Sequence, residues 1–519
     1  MSFFLILLGG LFCGLIALNG TPSVVFSFQN YFYSGLFWPG GFFVDNCSLF
    51  INIMLFICFS LVAAYTPHYF GGGAAATNLS RIICLFVGVM ALLVYTGDIL
   101  STLVLWEYLG VVSFFLILFY ASFLSLRASV ITLVSSRFGD VAIFLLLVVG
   151  VYVTNNSMVA GVCAILIICT KSASFPFISW LLEAMRAPTP VSSLVHSSTL
   201  VAAGVWFALR YDLGSLMIED SVTTSILIST VIITGTSSFF FTDLKKIVAL
   251  STCNNINWCV IYLTIGGVWL SLVQLICHGV SKCVLFMLVG DVMSGVSGSQ
   301  ASNFSYSPVN YGRMGSFGLV CLILGLSGAP FIGVFFSKHL MLSSVFGLHS
   351  VVATYSVFIG VMLSYLYSYR LCIMLISSRT SSSVGVLFTC AAGSVTYWWL
   401  FMNFFLCSAL DEFQELQGLP TAAILLFQVV SGVICWWFYD SVILSSWCSS
   451  LFGVDGTVES CYSWFTALLC ISRVCLFRWD SYCLAVFKFD TYAAKWVFSS
   501  ANIVLVTLAC FLVLLCLIV

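Results

Sequence analysis

Residues 158–180 read MVAGVCAILIICTKSASFPFISW, and this stretch decides the fold. Its uncharged beginning approaches the length needed to cross a bilayer core, about 20 mostly apolar residues. Lys171 and Pro176 then interrupt it. Because proline has no N–H, the carbonyl of Ser172 is left without its helical donor. The stretch therefore predicts a membrane helix that is broken beside a buried lysine.

Composition extends this prediction to the whole chain of 519 residues. Hydrophobic residues make up 61% and charged residues 7%, which excludes a water-soluble globular protein. Because an open sheet cannot satisfy its backbone in hydrocarbon, we predict an all-α polytopic membrane protein. The net charge of −1, with scattered Lys and Arg, argues against nucleic-acid binding. The 22 cysteines lack C-x2-C spacing, so we predict packing roles for them and no metal site.

Apolar windows predict about fifteen transmembrane helices. They cover residues 3–19, 45–66, 82–97, 99–121, 130–154, 158–180, 189–210, 222–241, 244–268, 270–292, 314–345, 351–377, 385–407, 421–447 and 498–519. Met1 to Leu18 lacks a basic beginning, so we interpret it as a membrane helix and not as a signal peptide. The predicted regions are N-terminal helices (1–81), two five-helix halves (82–212 and 222–377), additional membrane helices (385–447), an interfacial segment (448–497) and a C-terminal anchor helix (498–519).

The two halves share an interrupted fourth helix that carries a lysine. In the first half Lys171 precedes Pro176, and in the second half Gly328-Ala329-Pro330 precedes Lys338. Broken helices in matching positions indicate two inverted repeats with a site near the midplane of the membrane. The alternative interpretation is that these prolines and glycines serve only helix packing.

Titratable residues at membrane depth are the candidate site residues. An ionised group there costs at least ~2.5–3.5 kcal/mol, so each needs a partner or a function. Glu107 lies near the middle of helix 99–121, and Lys171 follows a long apolar run. A lysine withdrawn from water is able to gain and lose a proton near neutral pH. Separating the lysine from the carboxylate would act as a switch, whereas the alternative is an ion pair that only locks helices together.

Two histidines extend this set. His196 shares a small, mostly polar stripe with Ser192 and Thr199, and imidazole suits a proton relay, although packing is the alternative role. His278 and Lys282 lie one turn apart, on one face of helix 270–292 with Ser271 and Gln274. Two titratable groups so close together in an apolar helix favour a function over packing.

Two further charged groups are ambiguous. Arg137 and Asp140 lie at the head of predicted helix 130–154, where they form either an interfacial pair or part of the site. Thr242 or Asp243 is expected to cap the next helix, while Lys245 and Lys246 extend toward the interface. A structural role is the preferred interpretation of this last set.

Six segments together form a recognisable pattern. They are WEYLGVVSFFLI (106–117), SRFGD (136–140), KSASFPFISWLLEAMRAPTPVSSLVH (171–196), DLKKIVALST (243–252), HGVSK (278–282) and GAPFIGVFFSK (328–338). The third matches K-S-A-x-x-P-F-x-x-W-L-x-x-A-M-x-x-P-T-P-V-S-A-L-I-H almost throughout. Over residues 45–345 the chain thus resembles the antiporter-like, proton-translocating membrane-arm subunits of NADH:ubiquinone oxidoreductase, respiratory complex I. The C-terminal extension favours the subunit 5 type over its shorter paralogues.

The resemblance implies a distal subunit of a proton-translocating NADH:ubiquinone reductase, with no redox centre and no cofactor in this chain. It implies that Glu107 is a modulating carboxylate, Lys171 the channel lysine of the first half and His196 a residue between the channels. Lys282 would be the central relay lysine and Lys338 the exit-side group. The implied partners are the other membrane-arm subunits, especially the neighbouring antiporter-like one, with lipids, protons and internal water. The implied location is the mitochondrial inner membrane, or alternatively a bacterial plasma membrane.

The chain also departs from the family pattern. Gln274 stands where the family often has a second histidine, and His339 replaces the usual acid after the lysine. Arg186, Asn255 and Asn257 are likewise unusual. Two other functions stay open at this point: a subunit of a multi-subunit sodium/proton antiporter, and a structural membrane-arm subunit that does not pump.

Overall fold

The computed structural model describes most of the chain. The described residues are 24–33, 36–152, 157–212, 221–294, 300, 306–308, 312–330, 334–345, 351–376, 379–381, 418–439, 459–473 and 479. The chain divides into two units, Met1–Cys448 and Ser449–Val519, and every candidate site residue belongs to the first. The predicted helices 3–19, 385–407 and 498–519 lie outside the described residues.

A two-stranded antiparallel hairpin precedes the first described helix. Its strands are β1 (Val24–Tyr33) and β2 (Leu36–Val44). Helical periodicity does not predict this hairpin, although its Val, Phe and Tyr residues are typical of strands. Asp45 then begins helix α1 (Asn46–Phe70) through a capping box with Ser48, which satisfies backbone N–H groups at the helix start.

Three long helices follow: α2 (Ala74–Tyr95), α3 (Ile99–Ile117) and α4 (Phe123–Tyr152). Helix α4 begins earlier than the predicted residue 130. Ser122 and Ser125 cap this end, because the Ser122 N–H donates to the Ser125 hydroxyl at 2.9 Å and the Ser125 N–H to the Ser122 hydroxyl at 3.2 Å. Arg137 therefore lies inside α4, and its predicted place at the head of a helix is wrong.

The next two spans are interrupted. Helix α5 (Ser157–Lys171) ends at the lysine, and α6 (Ile178–Ala184) resumes after a turn. Helix α7 (Thr189–Leu194), with proline in its first turn, passes through a π-helical turn (Val195–Thr199) into α8 (Leu200–Arg210). In the first interruption Ala173 has φ of 54°, a left-handed conformation that ends the helix before Pro176 is reached.

The second group begins with α9 (Ser221–Phe240), α10 (Leu244–Thr264) and α11 (Val268–Ser294). Its fourth element is again interrupted, between α12 (Gly312–Ser327) and α13 (Phe335–Val345). Helix α14 (Val351–Ile376) and helix α15 (Gly418–Tyr439) complete the described part of the first unit, with a short parallel pair, β3 (Tyr306–Pro308) and β4 (Arg379–Ser381). Both fourth elements are broken as predicted, while their inverted relation stays a prediction.

The described part of the chain contains nine helices that are long and apolar enough to cross a membrane. The protein is therefore a mostly helical polytopic membrane protein, and the figure of about fifteen spans stays a prediction. The most apolar 18-residue stretches of Thr189–Arg210 and Val268–Ser294 are fully buried, whereas only 28% of the corresponding stretch of Phe123–Val148 is buried. Helix α10 is also buried except at Lys246, so α7, α8, α10 and α11 form the centre of the described bundle, and the predicted histidines lie in α11 and in the π-helical turn between α7 and α8.

In the second unit, residues 459–473 form helix α16. Its aromatic residues Tyr462, Trp464 and Phe465 are exposed. Exposed rings of this kind suit a membrane interface, as predicted for segment 448–497, and that placement stays a prediction.

Candidate functional site

Lys171 is buried at the point where α5 ends. Only 1% of the residue is exposed, and its ammonium group lies 4.8 Å from the centroid of the Trp106 ring. The aromatic face attracts the cation and partly replaces lost hydration. Trp180 holds the end of the helix, because its indole N–H donates to the Thr170 carbonyl at 2.9 Å. The lysine is therefore fixed beside the interruption, as the sequence predicts.

Three charged residues lie on the same side of the bundle as Lys171. Arg137 forms an ion pair with Glu107 and lies 3.4 Å from a carboxylate oxygen of Asp140. Both acids are close enough to Lys171 to interact with it electrostatically. Asp140 is almost buried, while the Arg137 side chain is 46% exposed. The structure thus brings four predicted residues together around one interruption: two cations and two carboxylates.

His196 lies in the π-helical turn at the centre of the bundle. It is completely buried, and neither ring nitrogen has a hydrogen-bond partner in the described protein. The turn is marked by the Thr199 hydroxyl, which donates to the Leu194 carbonyl five residues earlier at 3.0 Å. Such turns occur often at functional sites because they expose backbone and reorient a side chain.

Lys282 and His278 lie on one face of α11, and both are buried. The Lys282 ammonium donates to the Ser251 hydroxyl and lies 3.5 Å from the Val248 carbonyl, both on α10. Both ring nitrogens of His278 lack a hydrogen-bond partner among the described residues. His278 nevertheless lies close enough to Lys282 to interact with it electrostatically.

Lys338 lies in the first turn of α13, beside the second interruption. Its ammonium donates to the Ser327 carbonyl at 2.6 Å and to the Ser364 hydroxyl at 2.7 Å, and it lies 4.8 Å from the Tyr365 ring centroid. Gly328, at φ of 89°, ends α12 in the left-handed region that favours glycine. The Lys338 side chain passes close to Gly328, where an added Cβ would lie 3.3 Å from the lysine Cδ.

A small internal cavity connects the surroundings of Lys282 and Lys338. Its volume of about 10 Å³ corresponds to roughly one water position. Lys282 lines the cavity together with Ser327, whose carbonyl accepts the hydrogen bond from Lys338. Its other lining residues are Ser251, Asn255, Leu285, Ile323, Leu326, Tyr367, Ser368 and Leu371. Lys282 therefore borders this cavity, the polar pocket, directly, whereas Lys338 does not line it and reaches it only through its hydrogen bond with Ser327.

Two of the departures from the family pattern, Gln274 and His339, lie next to Lys338. The Ser337 hydroxyl donates to the side-chain oxygen of Gln274 at 2.6 Å, so the amide that replaces a histidine contacts the neighbour of Lys338. His339 is buried and stacks on Phe335, with ring centroids 6.1 Å apart. Gln274 thus joins α11 to the second interruption through a neutral hydrogen bond.

The expected extension of both lysines to the interface is wrong for Lys245. This residue is buried, and its ammonium donates to the Ala187 carbonyl at 3.2 Å, close enough to His196 to interact electrostatically. Asp243 makes no capping hydrogen bond with its side chain and pairs instead with Lys246 at 2.9 Å. Sequence reasoning missed Lys245 as a buried cation because adjacent lysines at a helix start are typical of an interface.

Two partly exposed ion pairs, Glu183–Arg186 and Asp243–Lys246, line a larger cavity of about 360 Å³. Each pair links positions three residues apart near a helix end. Exposed pairs of this kind contribute about 0–1 kcal/mol. They serve below as matched controls for the buried charges.

The predicted residues thus form two groups. Glu107, Arg137, Asp140 and Lys171 surround the first interruption. The second group is Lys282, which lines the polar pocket, His278 one turn away on α11, and Lys338, which donates to the carbonyl of the lining residue Ser327. His196 lies near Lys245. Buried lysines beside broken helices define a class of polytopic membrane protein with titratable groups inside its bundle.

Comparison with known proteins identifies the family to which the chain belongs. Residues 96–366, more than half of the chain, match the family described as NADH:quinone oxidoreductase/Mrp antiporter, transmembrane. The chain belongs to that family. A curated relative, NADH-ubiquinone oxidoreductase chain 5 of Locusta migratoria, is 33% identical over 321 residues. That match covers 59% of this chain and 56% of the locust protein, so the chain spans little more than half of that relative's length.

Two solved structures share the fold. The Mrp complex of a Dietzia species matches with a TM-score of 0.71 at 20% identity, covering 97% of this chain and 59% of that chain. Respiratory complex I of Thermus thermophilus matches with a TM-score of 0.65 at 15% identity, covering 83% of this chain and 94% of that chain. At such low identities the likeness concerns the fold alone.

Proposed function

We propose that this chain moves protons across the mitochondrial inner membrane as a distal membrane-arm subunit of complex I. Its membership of the family and its likeness to chain 5 of NADH-ubiquinone oxidoreductase support this proposal. The observation that carries it is the polar pocket, which Lys282 lines together with Ser327, the residue whose carbonyl accepts from Lys338. One water there would lie between Lys282 and Ser327, and proton exchange between buried amines needs connecting water of this kind.

The route of the proton follows from the buried polar atoms. Among the described residues, the ring nitrogens of His196 and His278 have no hydrogen-bond partner. The Ser172 hydroxyl and one Asp140 carboxylate oxygen also lack a hydrogen-bond partner there. Buried polar atoms are ordinarily satisfied by protein or by water. Internal water at these positions would join the Lys171 group to the Lys282 group through the centre of the bundle.

The carboxylates give the route its direction. Arg137 lies between Glu107 and Asp140, and both acids also act on Lys171. When an acid moves toward the lysine, the protonated amine is stabilised, and when it moves toward the arginine, the lysine releases its proton. Moving one charge across 100 mV requires about 2.3 kcal/mol, so redox energy from sister subunits must drive the cycle. In this proposal the chain itself holds no redox cofactor.

Replacement of Lys171 by Ala tests the proposal. The complex is purified, reconstituted into vesicles, and assayed for proton transfer per NADH oxidised. We expect Lys171→Ala to assemble normally and to lose transfer, because the first interruption then has no titratable amine. Normal transfer would refute the proposal. Transfer that requires a sodium gradient and continues without NADH would favour the sodium/proton antiporter instead.

A further inference from the structure

The non-helical turn after Lys171 is held in place by a different helix. Ser174 is completely buried, and its hydroxyl donates to the side-chain oxygen of Asn257 on α10 at 2.5 Å. Beside it, the Cys253 thiol lies 3.1 Å from the Ala173 carbonyl. The Asn257 amide N–H donates in turn to the Cys253 carbonyl at 2.8 Å. Two residues one helical turn apart on α10 therefore hold the turn.

On its other side, the same turn packs closely against α8. An added Cβ at Gly204 on α8 would lie 2.3 Å from the Ser172 hydroxyl, so only glycine permits this close approach. Ala173 adopts a left-handed conformation that an alanine seldom takes without support from its surroundings. Contacts with α8 and α10 thus hold the turn that follows Lys171, in addition to the Trp180 hydrogen bond at the end of α5.

We propose that Asn257 is a positioning residue for Lys171, acting through its hydrogen bond with Ser174. This inference rests on the proposed function, because the position of Lys171 matters only if the lysine carries protons. Ser174 and Asn257 lie 83 positions apart in the sequence, so the fold and not local sequence brings this hydrogen bond about.

The opposite face of α10 explains why this contact reaches the second group of residues. At 100° per residue, positions 251 and 255 point almost opposite to 253 and 257. Ser251 accepts from Lys282, and Asn255 lines the polar pocket beside it. One helix thus holds the first interruption on one face and the relay lysine on the other, so a shift of α10 changes both surroundings together.

The test compares asparagines on the same helix. Asn257→Ala removes the acceptor of the Ser174 hydrogen bond, and Ser174→Ala removes its donor. Asn254→Ala is the matched control, because Asn254 is equally buried and bonds to Val231 and Trp258, away from the lysines. We expect roughly a tenfold loss of proton transfer per NADH for each of the first two variants and less than about a twofold loss for the control.

A structural role alone would not produce the remaining results. The double variant should lose no more proton transfer than either single variant, because both substitutions remove the same hydrogen bond between Ser174 and Asn257. Ser174→Thr keeps the hydroxyl donor and should recover transfer to within about twofold. Equal losses for Asn254→Ala and Asn257→Ala, or additive losses in the double variant, would overturn the positioning role. If Asn257→Ala does not assemble, Ser174→Ala alone decides.

Lys171→Ala in the same assay separates the two levels of the proposal. Normal transfer by Lys171→Ala overturns the proposed function itself. Loss of transfer in Lys171→Ala together with normal transfer in Asn257→Ala and Ser174→Ala overturns only the positioning role. Loss in all three, with recovery in Ser174→Thr, supports both.

Discussion

Lys171 and Lys338 lie beside equivalent interruptions, yet the groups around them carry different charge. Each amine lies 4.8 Å from an aromatic ring centroid. Lys171 interacts with two carboxylates and an arginine, whereas Lys338 donates to one carbonyl and one hydroxyl. Among the described residues Lys282 likewise bonds only to uncharged oxygens of Ser251 and Val248.

This difference indicates a division of labour between the two groups. A carboxylate stabilises the protonated amine strongly, so the Lys171 group suits storage and release controlled by moving acids. Hydroxyl and carbonyl oxygens accept hydrogen bonds without fixing the charge state, so the Lys282 and Lys338 group suits rapid transfer. Removing Lys282 or Lys338 should therefore stop proton transfer. Changing one of the acids near Lys171 should only lower the rate of transfer.

The largest expected effect is that of Lys282→Met. Methionine fills a similar volume without a titratable amine, so the polar pocket loses one of the two groups that exchange protons through it. We expect proton transfer per NADH to fall roughly a hundredfold. Lys246→Met is the control, because this lysine is partly exposed and its ion pair is with Asp243. A comparable fall in the control would mean that loss of any lysine damages the complex.

The second prediction concerns the charged group. Glu107→Gln removes one of the two carboxylates shared by Arg137 and Lys171. Because the ion pair is partly exposed, we expect a three- to tenfold fall, about a tenth or less of the effect at Lys282. The measurement is again proton transfer per NADH oxidised. Glu183→Gln, at a partly exposed pair, should change transfer less than about twofold; equal effects at both positions would remove the distinction between the groups.

Much of this comparison was predictable from the sequence. The interruptions at Lys171 and Lys338 were predicted from proline and glycine inside apolar runs, because proline cannot donate a helical hydrogen bond and glycine permits a left-handed turn such as that at Gly328. The pairing of His278 and Lys282 follows from helical spacing alone. Local chemistry of this kind is encoded within a few residues of the feature it produces.

Contacts between distant segments were not predictable in this way. Helix α4 begins at the cap formed by Ser122 and Ser125, earlier than predicted, so Arg137 lies inside this helix, where it pairs with Glu107. Lys245 is buried because the Ala187 carbonyl accepts its hydrogen bond across the bundle. Neither outcome follows from hydrophobic periodicity. A cap can begin a helix before the apolar pattern does, and periodicity carries no information about a hydrogen-bond acceptor that is distant in the sequence.

A third prediction converts one environment into the other. Ser364→Asp places a carboxylate beside Lys338, and Ser364→Ala removes the hydroxyl acceptor. Loss of one hydrogen bond costs about 1 kcal/mol, so we expect roughly a fivefold fall for the alanine variant. The aspartate variant should transfer protons more slowly than the alanine variant, because the carboxylate holds the amine in its charged form. Faster transfer in the aspartate variant would contradict the proposed division of labour.

The smallest expected effect lies at the Gly328 carbonyl, which accepts from Gln428 at 2.7 Å and from the Tyr365 hydroxyl at 3.1 Å. Gln428→Leu leaves the tyrosine as donor, so we expect transfer to change less than about twofold. Adding Tyr365→Phe removes both donors and leaves a carbonyl beside Lys338 without either partner, which should lower transfer by more than the product of the single effects. Val429→Leu, exposed on the same helix, is the control. Effects that simply multiply would show that the second interruption does not depend on this shared carbonyl, and its neutral hydrogen bonds would then be independent of one another.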